Sequence, residues 1–269
     1  MTEIGPIRTL LMPSELDARL PQPNSLRRAS DAAKAAVAVA AEALAGAAVT
    51  GSTGLYVGQQ QVPLDYCRQF IDASTASGPR FASPMLFSES VANNAATHLS
   101  LTLGFKGAIQ TFIGSRTAGI GALMAAAEDV AAGTVEAGLV VVLSFASPLT
   151  VDAYRAIYRG SPPFPLANGA AAFVVRPDPF PGSSTLAAAR VRCNGRTRAD
   201  QALALKGLGV TGAAAGSAFC LAREALGDVT LRNSAGESFA LDPFLALAEG
   251  SKTVVVLGEE GTAGVVSLA

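Results

Sequence analysis

An α/β fold with a layered sheet is the architecture this sequence predicts, on three observations. Four short runs are apolar at both odd and even positions: 139–144 (LVVVLS), 171–175 (AAFVV), 253–257 (TVVVL) and 264–268 (GVVSL). Such runs belong to strands covered on both faces, not to half-exposed ones. Alanine-rich stretches at 30–45, 115–132 and 211–226 alternate with them and read as helices. Lastly, half of the 269 residues are apolar and only 15% are charged, yet no segment offers the roughly 20 consecutive apolar residues that span a bilayer. That apolar excess has to be hidden inside covered sheets or against another subunit, which is a first sign of a partner.

Taken in order, the first dozen residues carry Glu3, Pro6 and Arg8 instead of a basic start and an apolar run, so a cytoplasmic protein without an export signal is expected. The longest apolar stretch, 35–49, contains Glu42 and Gly46 and reads as a soluble helix. Gly133 stands where the helix over 115–132 needs a left-handed cap. Proline and glycine concentrate at 160–165 (GSPPFP) and 176–184 (RPDPFPGSS). The second cluster is the expected junction between an N-terminal half, residues 1–177, and a smaller C-terminal half, 178–269. A net charge of −1 supplies no basic field, which argues against electrostatic capture of nucleic acid. Cys67, Cys193 and Cys220 are too scattered for a disulfide framework or a zinc site and are expected to be reduced, packed thiols.

Residues 91–108 read VANNAATHLSLTLGFKGA, 109–123 read IQTFIGSRTAGIGAL, and 133–144 read GTVEAGLVVVLS. This succession resembles the β-ketoacyl synthases of the thiolase superfamily. There a polar NMAAGH-type helix leads through a GxKGP-like turn into a strand ending in the nucleophile elbow TACSSG, and a helix and a buried strand follow. Asn94, Ala95, Ala96, His98, Gly104, Lys106, Gly107, Thr111, Gly119, Ala122 and Leu123 keep that pattern. Tyr56-Val57-Gly58 and the segment 168–172 (NGAAA) add to it, and 209–216 and 260–268 resemble the family's GHTEAAAG and GGTNAHVVL segments. The likeness is good over 30–177 and thin beyond. It implies a thiolase-like layered α-β-α fold with a well-formed N-terminal half and a truncated C-terminal half.

Claisen condensation in this family needs a cysteine thiolate at a helix N-terminus, where peptide dipoles lower the thiol pKa, and two histidines that aid decarboxylation and stabilise an oxyanion. Laid on this chain, the nucleophile position falls on Arg116 and the GH histidine on Val210. A guanidinium has donors only and no lone pair for attack on a thioester. The whole chain holds one histidine, His98, at a place where the family has a non-catalytic one. Ser115 and Thr117 flank Arg116 in this pseudo-site, but a serine nucleophile needs a base within reach, and the motif supplies none. Arg116 itself has two readings, filling the vacated pocket or crossing a subunit interface. A cation at a helix N-terminus is disfavoured by about 0.3–1 kcal/mol, so its head is expected to meet a carboxylate or turn off the helix axis.

The resemblance implies a function of another kind. In the superfamily the strand before the elbow pairs with its equivalent in a second subunit, and inactive copies serve active synthases as the β subunit, or chain-length factor. The strand here is 107–114, with apolar and β-branched Ile109, Thr111, Phe112 and Ile113. Met85, Leu86, Phe87 and Asn93, with Phe112, would reach toward the partner's acyl tunnel; ordinary core is the competing reading for 85–87. Arg190, Arg192, Arg196 and Arg198 form a basic cluster suited either to an acidic acyl carrier protein or to plain solvation. The expected function is therefore a non-catalytic, cofactor-free subunit that pairs with an active β-ketoacyl synthase and meets the carrier protein through that complex, with no membrane or nucleic-acid partner. The competing readings are a carrier-protein-dependent malonyl decarboxylase or acyltransferase using another site, and a homodimeric scaffold.

Overall fold

The computed structural model describes residues 1–12, 16–22, 24–47, 52–160, 166–193, 200, 203, 206–208, 215–218, 239–258 and 262–269. Ten strands in these residues are β1 (Glu3–Ile4), β2 (Arg8–Leu11), β3 (Thr53–Gln60), β4 (Ile109–Ile113), β5 (Ala137–Ser144), β6 (Gly169–Arg176), β7 (Ser184–Cys193), β8 (Ala215–Ala218), β9 (Thr253–Leu257) and β10 (Thr262–Leu268). The α-helices are α1 (Asp31–Ala47), α2 (Leu64–Ser77), α3 (Pro84–Ser90), α4 (Asn94–Leu103), α5 (Ala118–Ala131), α6 (Pro148–Ile157) and α7 (Asp242–Ala248). The strands hydrogen-bond in the order β4-β3-β5-β6-β1-β7-β10-β9-β8, with β2 also beside β6.

The strand runs that are apolar on both parities do cover two cores. Leu55, Val57, Leu139, Val141, Leu143, Ala170, Ala172 and Val174 face the alanines of α1. Their alternating neighbours Tyr56, Val140, Val142, Ala171, Phe173 and Val175 face Ile120 and Leu123 of α5 and Phe244 of α7, in one core with Val254, Val256 and Val266 of β9 and β10. The helices α5 and α7 thus form a layer touching both halves of the sheet, while α1 covers the outer face of the first half. All eight residues of β5 are buried, as a strand covered on both faces requires.

The halves are joined by β1, which pairs antiparallel with both β6 and β7, Glu3 standing opposite Arg176 on one side and Thr185 on the other. Its buried carboxylate accepts hydrogen bonds from Ser183 Oγ at 3.0 Å and Thr185 Oγ1 at 2.8 Å. The expected boundary at residue 177 lies between β6 and β7, directly beside this strand.

Two expectations need correction. The helix predicted over 115–132 begins at Ala118, because 115–117 form the turn before it, and it ends as expected against Gly133 with φ 71°. The stretch 211–226 is not one helix: Ala215–Ala218 is a strand lying parallel to β9, with Ala215 opposite Val254. Alanine content is a weak prior, and pairing with a buried strand overrides it; the remainder of that stretch lies outside the described residues. No helix among the described residues is long and apolar enough to cross a membrane.

Backbone approach sets the register of helix on sheet. A Cβ on Gly58 would stand 2.6 Å from Gly119 Cα, so β3 and α5 touch main chain to main chain. Tyr56 reinforces this contact: its hydroxyl donates to Asp129 Oδ2 of α5 at 2.6 Å, an oxygen that also accepts from Gln110 Nε2 of β4 at 3.2 Å. Burial, then the hydrogen bond and charge of Asp129, push the Tyr56 phenol well above its ordinary range. A phenol held neutral in the fold contributes stability that is intact below about pH 10, the ordinary tyrosine value, and is lost as pH rises toward the folded pKa. Urea unfolding followed from pH 9 to 11.5 is expected to show falling stability for the wild type and a shallower alkaline slope for Tyr56→Phe.

Candidate functional site

The β4 strand ends at Gly114, whose φ of 124° suits glycine, and the chain turns directly into α5. Ser115 carbonyl accepts from Ala118 N at 3.0 Å, and Thr117 carbonyl from Gly121 N at 2.9 Å. The hydroxyls of Ser115 and Thr117 lie 2.6 Å apart, and Ser115 Oγ also accepts from Thr117 N at 3.3 Å. Both hydroxyls are engaged in building the turn. The strand–turn–helix elbow expected from the motif is present, with Arg116 at its apex.

Arg116 is 0% exposed and heads the fully buried side chains by volume. One guanidinium nitrogen donates to Tyr154 Oη of α6 at 3.1 Å. The side chain stays inside its own chain, which corrects the reading in which it crosses a subunit boundary. Helix α6 is itself fixed at its start: Ser147 and Thr150 form a capping box, and Thr150 Oγ1 donates to Gln61 Oε1 at 2.6 Å. Arg116 is thereby tied through α6 to the loop leaving β3. A cavity of about 260 Å³ nearby is lined by Gln61, Tyr66, Phe145 and Ser147 among others, and residues 115–117 are not part of its wall.

No cysteine stands at this elbow, whose side chains are the Arg116 guanidinium and the hydroxyls of Ser115 and Thr117. The one imidazole, His98 on α4, is held by Glu89 on α3, with Nε2 to Oε1 at 2.8 Å. Among the described residues no group of three His, Cys, Asp or Glu side chains is placed to hold a metal ion.

No family model matches the chain, and no curated protein matches it. Solved structures do. The ishigamide ketosynthase/chain length factor superposes with a TM-score of 0.77 at 19% identity, over 96% of this chain and 85% of that one. The type II polyketide ketosynthase AntDE, in complex with the acyl carrier protein AntF, gives 0.75 at 15% identity over 100% and 99%. The ketosynthase ApeO with its chain length factor ApeC from Xenorhabdus doucetiae gives 0.61 at 12% identity over 99% and 99%. The chain has the thiolase-like ketosynthase fold.

On that ketosynthase fold the residues expected at an interface lie at the surface. Among the described residues β4 pairs with β3 alone, leaving its other edge free. Ile109 is 43% and Ile113 58% exposed, while Thr111 and Phe112 are half-buried. Met85 and Phe87 are 53% and 55% exposed, which removes the ordinary-core reading for both; Leu86 is half-buried and Asn93 exposed. The Phe87 ring lies 5.5 Å from that of Phe70, and Arg28 points a guanidinium nitrogen at the Met85 sulfur, 3.8 Å away. Since α3 packs on α4 and α4 on β4, the two groups are linked through α4.

Arg190 and Arg192 are exposed, two apart on β7, and therefore share a face. Val210, the segment 194–197, Arg196, Arg198 and Cys220 lie outside the described residues, as does the Cys193 side chain. Cys67 is a free thiol donating to Ser90 O at 3.0 Å. Sequence reasoning missed Tyr154 and Glu89; only the i, i+4 spacing of Asn94 and His98 on one helix face hinted at the second. Truncating Arg116 to alanine removes a large buried side chain and its hydrogen bond to the Tyr154 hydroxyl. A loss of about 3 kcal/mol is expected for Arg116→Ala, read as a lower urea midpoint.

Proposed function

We propose that this chain is a non-catalytic ketosynthase-like subunit of chain-length-factor type. It pairs with an active β-ketoacyl synthase and shapes or stabilises that enzyme's acyl tunnel in type II polyketide, aryl polyene or fatty-acid-like biosynthesis. The observation that carries the reading is Arg116: a wholly buried guanidinium stands at the elbow where condensation needs a thiolate. With one histidine in the chain, held by Glu89, two catalytic imidazoles are impossible. The partner supplies the cysteine and both histidines, and the acyl carrier protein reaches this subunit through the complex.

The edge of β4 supports the pairing. A strand edge with exposed Ile109 and Ile113 is a template for another strand, and monomeric proteins protect such edges. Strand addition across it extends the sheet into the partner and covers the isoleucines. Phe112, Met85, Phe87 and Asn93 then bear on the tunnel, where side-chain bulk sets the length of chain accepted.

Co-expression with the synthase encoded beside this chain is expected to give a one-to-one complex by size-exclusion chromatography with light scattering. Ile109→Asp with Ile113→Asp should abolish it while leaving the thermal midpoint of the isolated chain within about 2 °C, since both side chains are already exposed. A stable homodimer that ignores the synthase overturns the pairing. Incubated alone with malonyl and acyl carrier proteins, neither the wild type nor Arg116→Cys should form a condensation product, release carbon dioxide or, in the wild type, carry a covalent acyl group by mass spectrometry. Turnover by the wild type would establish the decarboxylase or acyltransferase reading instead.

A further inference from the structure

We infer that Glu89 is a positioning residue for partner binding, its carboxylate fixing the exposed helix α3, and with it Met85 and Phe87, to helices α1 and α4. This rests on the subunit reading above and adds a residue that touches neither the partner nor the tunnel.

Helix α3 has seven residues, too few to persist through its own hydrogen bonds, and two of its three large apolar side chains face outward. Ser83 caps its start, accepting from Leu86 N at 3.3 Å. Its end is held by Glu89, which is 8% exposed. Oε2 accepts from Asn94 Nδ2 of α4 at 2.6 Å and from Ser30 N at 3.2 Å, and Oε1 lies 2.8 Å from His98 Nε2. Ser30 is the residue before α1, and its own Oγ accepts from Ala33 N at 3.3 Å. In a capping box the acceptor for the cap N–H comes from the third helical residue. That residue is Ala33, and Glu89 supplies the missing oxygen from 59 positions away. Its negative charge there also suits the helix N-terminus.

Backbone amide and asparagine amide both donate, and His98 offers Nε2 to the second oxygen. A carboxylate accepts from all of them; a glutamine has one acceptor oxygen, so its uncharged NH₂ group faces either the Ser30 and Asn94 donors or His98, which must then change tautomer to accept from it. Asn94 bears the mark of this: its amide nitrogen faces Glu89 while its carbonyl oxygen is buried with no hydrogen bond. The single histidine of the chain accordingly serves as a strut between α4 and α3.

The test uses the full-length chain as Glu89→Gln, His98→Ala and His98→Gln. Three quantities are measured: affinity for the neighbouring synthase by calorimetry, amide hydrogen exchange, and thermal midpoint. Glu89→Gln is expected to weaken binding at least tenfold and to speed exchange at 84–90 and 30–33, with β3 and β5 as protected as in the wild type. His98→Ala should act in the same direction, and His98→Gln, whose amide nitrogen can replace Nε2, should restore wild-type affinity. Wild-type affinity in Glu89→Gln, or exchange raised equally across β3 and β5, overturns the inference. Should Glu89→Gln not fold, wild-type affinity in His98→Ala overturns it. A wild-type chain that never binds the synthase overturns the subunit reading, and exchange at 84–90 then decides alone whether Glu89 holds α3.

Discussion

The structure depends on a sheet that must be covered twice. With Leu139, Val141 and Leu143 on one face of β5 and Val140 and Val142 on the other, neither face can meet water, so one helical layer is needed on each side. Alanine-rich α1 supplies the outer layer. On the inner side α5 comes close enough for Gly58 and Gly119 to touch, which leaves the start of α5 at the C-terminal ends of β3 and β4. The elbow stands where it does because the packing of two cores leaves its helix no other place.

What occupies that elbow decides its chemistry. Helix N-termini favour anions and thiolates, and a guanidinium there runs against the dipole. There the guanidinium donates to the Tyr154 hydroxyl on α6 and braces one helix against another. His98, held by Glu89, likewise joins helix to helix.

Much of this could be read from the chain. The runs around β5, β6, β9 and β10 were legible to within a few residues because double-sided burial leaves no polar parity, and the elbow because β4, Gly114 and α5 follow one another locally. Ala215–Ala218 was not legible, since small residues favour a helix until a strand such as β9 is present to pair with them. Nor was the exposure of Met85 and Phe87, whose spacing fits a buried face equally well. Tyr154 lies 38 positions from Arg116 and Ser30 59 from Glu89; contacts that span the chain leave no periodic trace, and a carboxylate between two serines looks like surface.

The two-residue strand β1 carries a consequence for how the molecule comes together. Glu3 pairs across to residues 176 and 185, so the seam beside β1 closes only when segments some 170 to 180 positions apart in the chain meet. Contacts of such separation slow folding. Inserting this ribbon needs the edges of β6 and β7 in place on both sides of it, which makes it a contact that local structure alone cannot form.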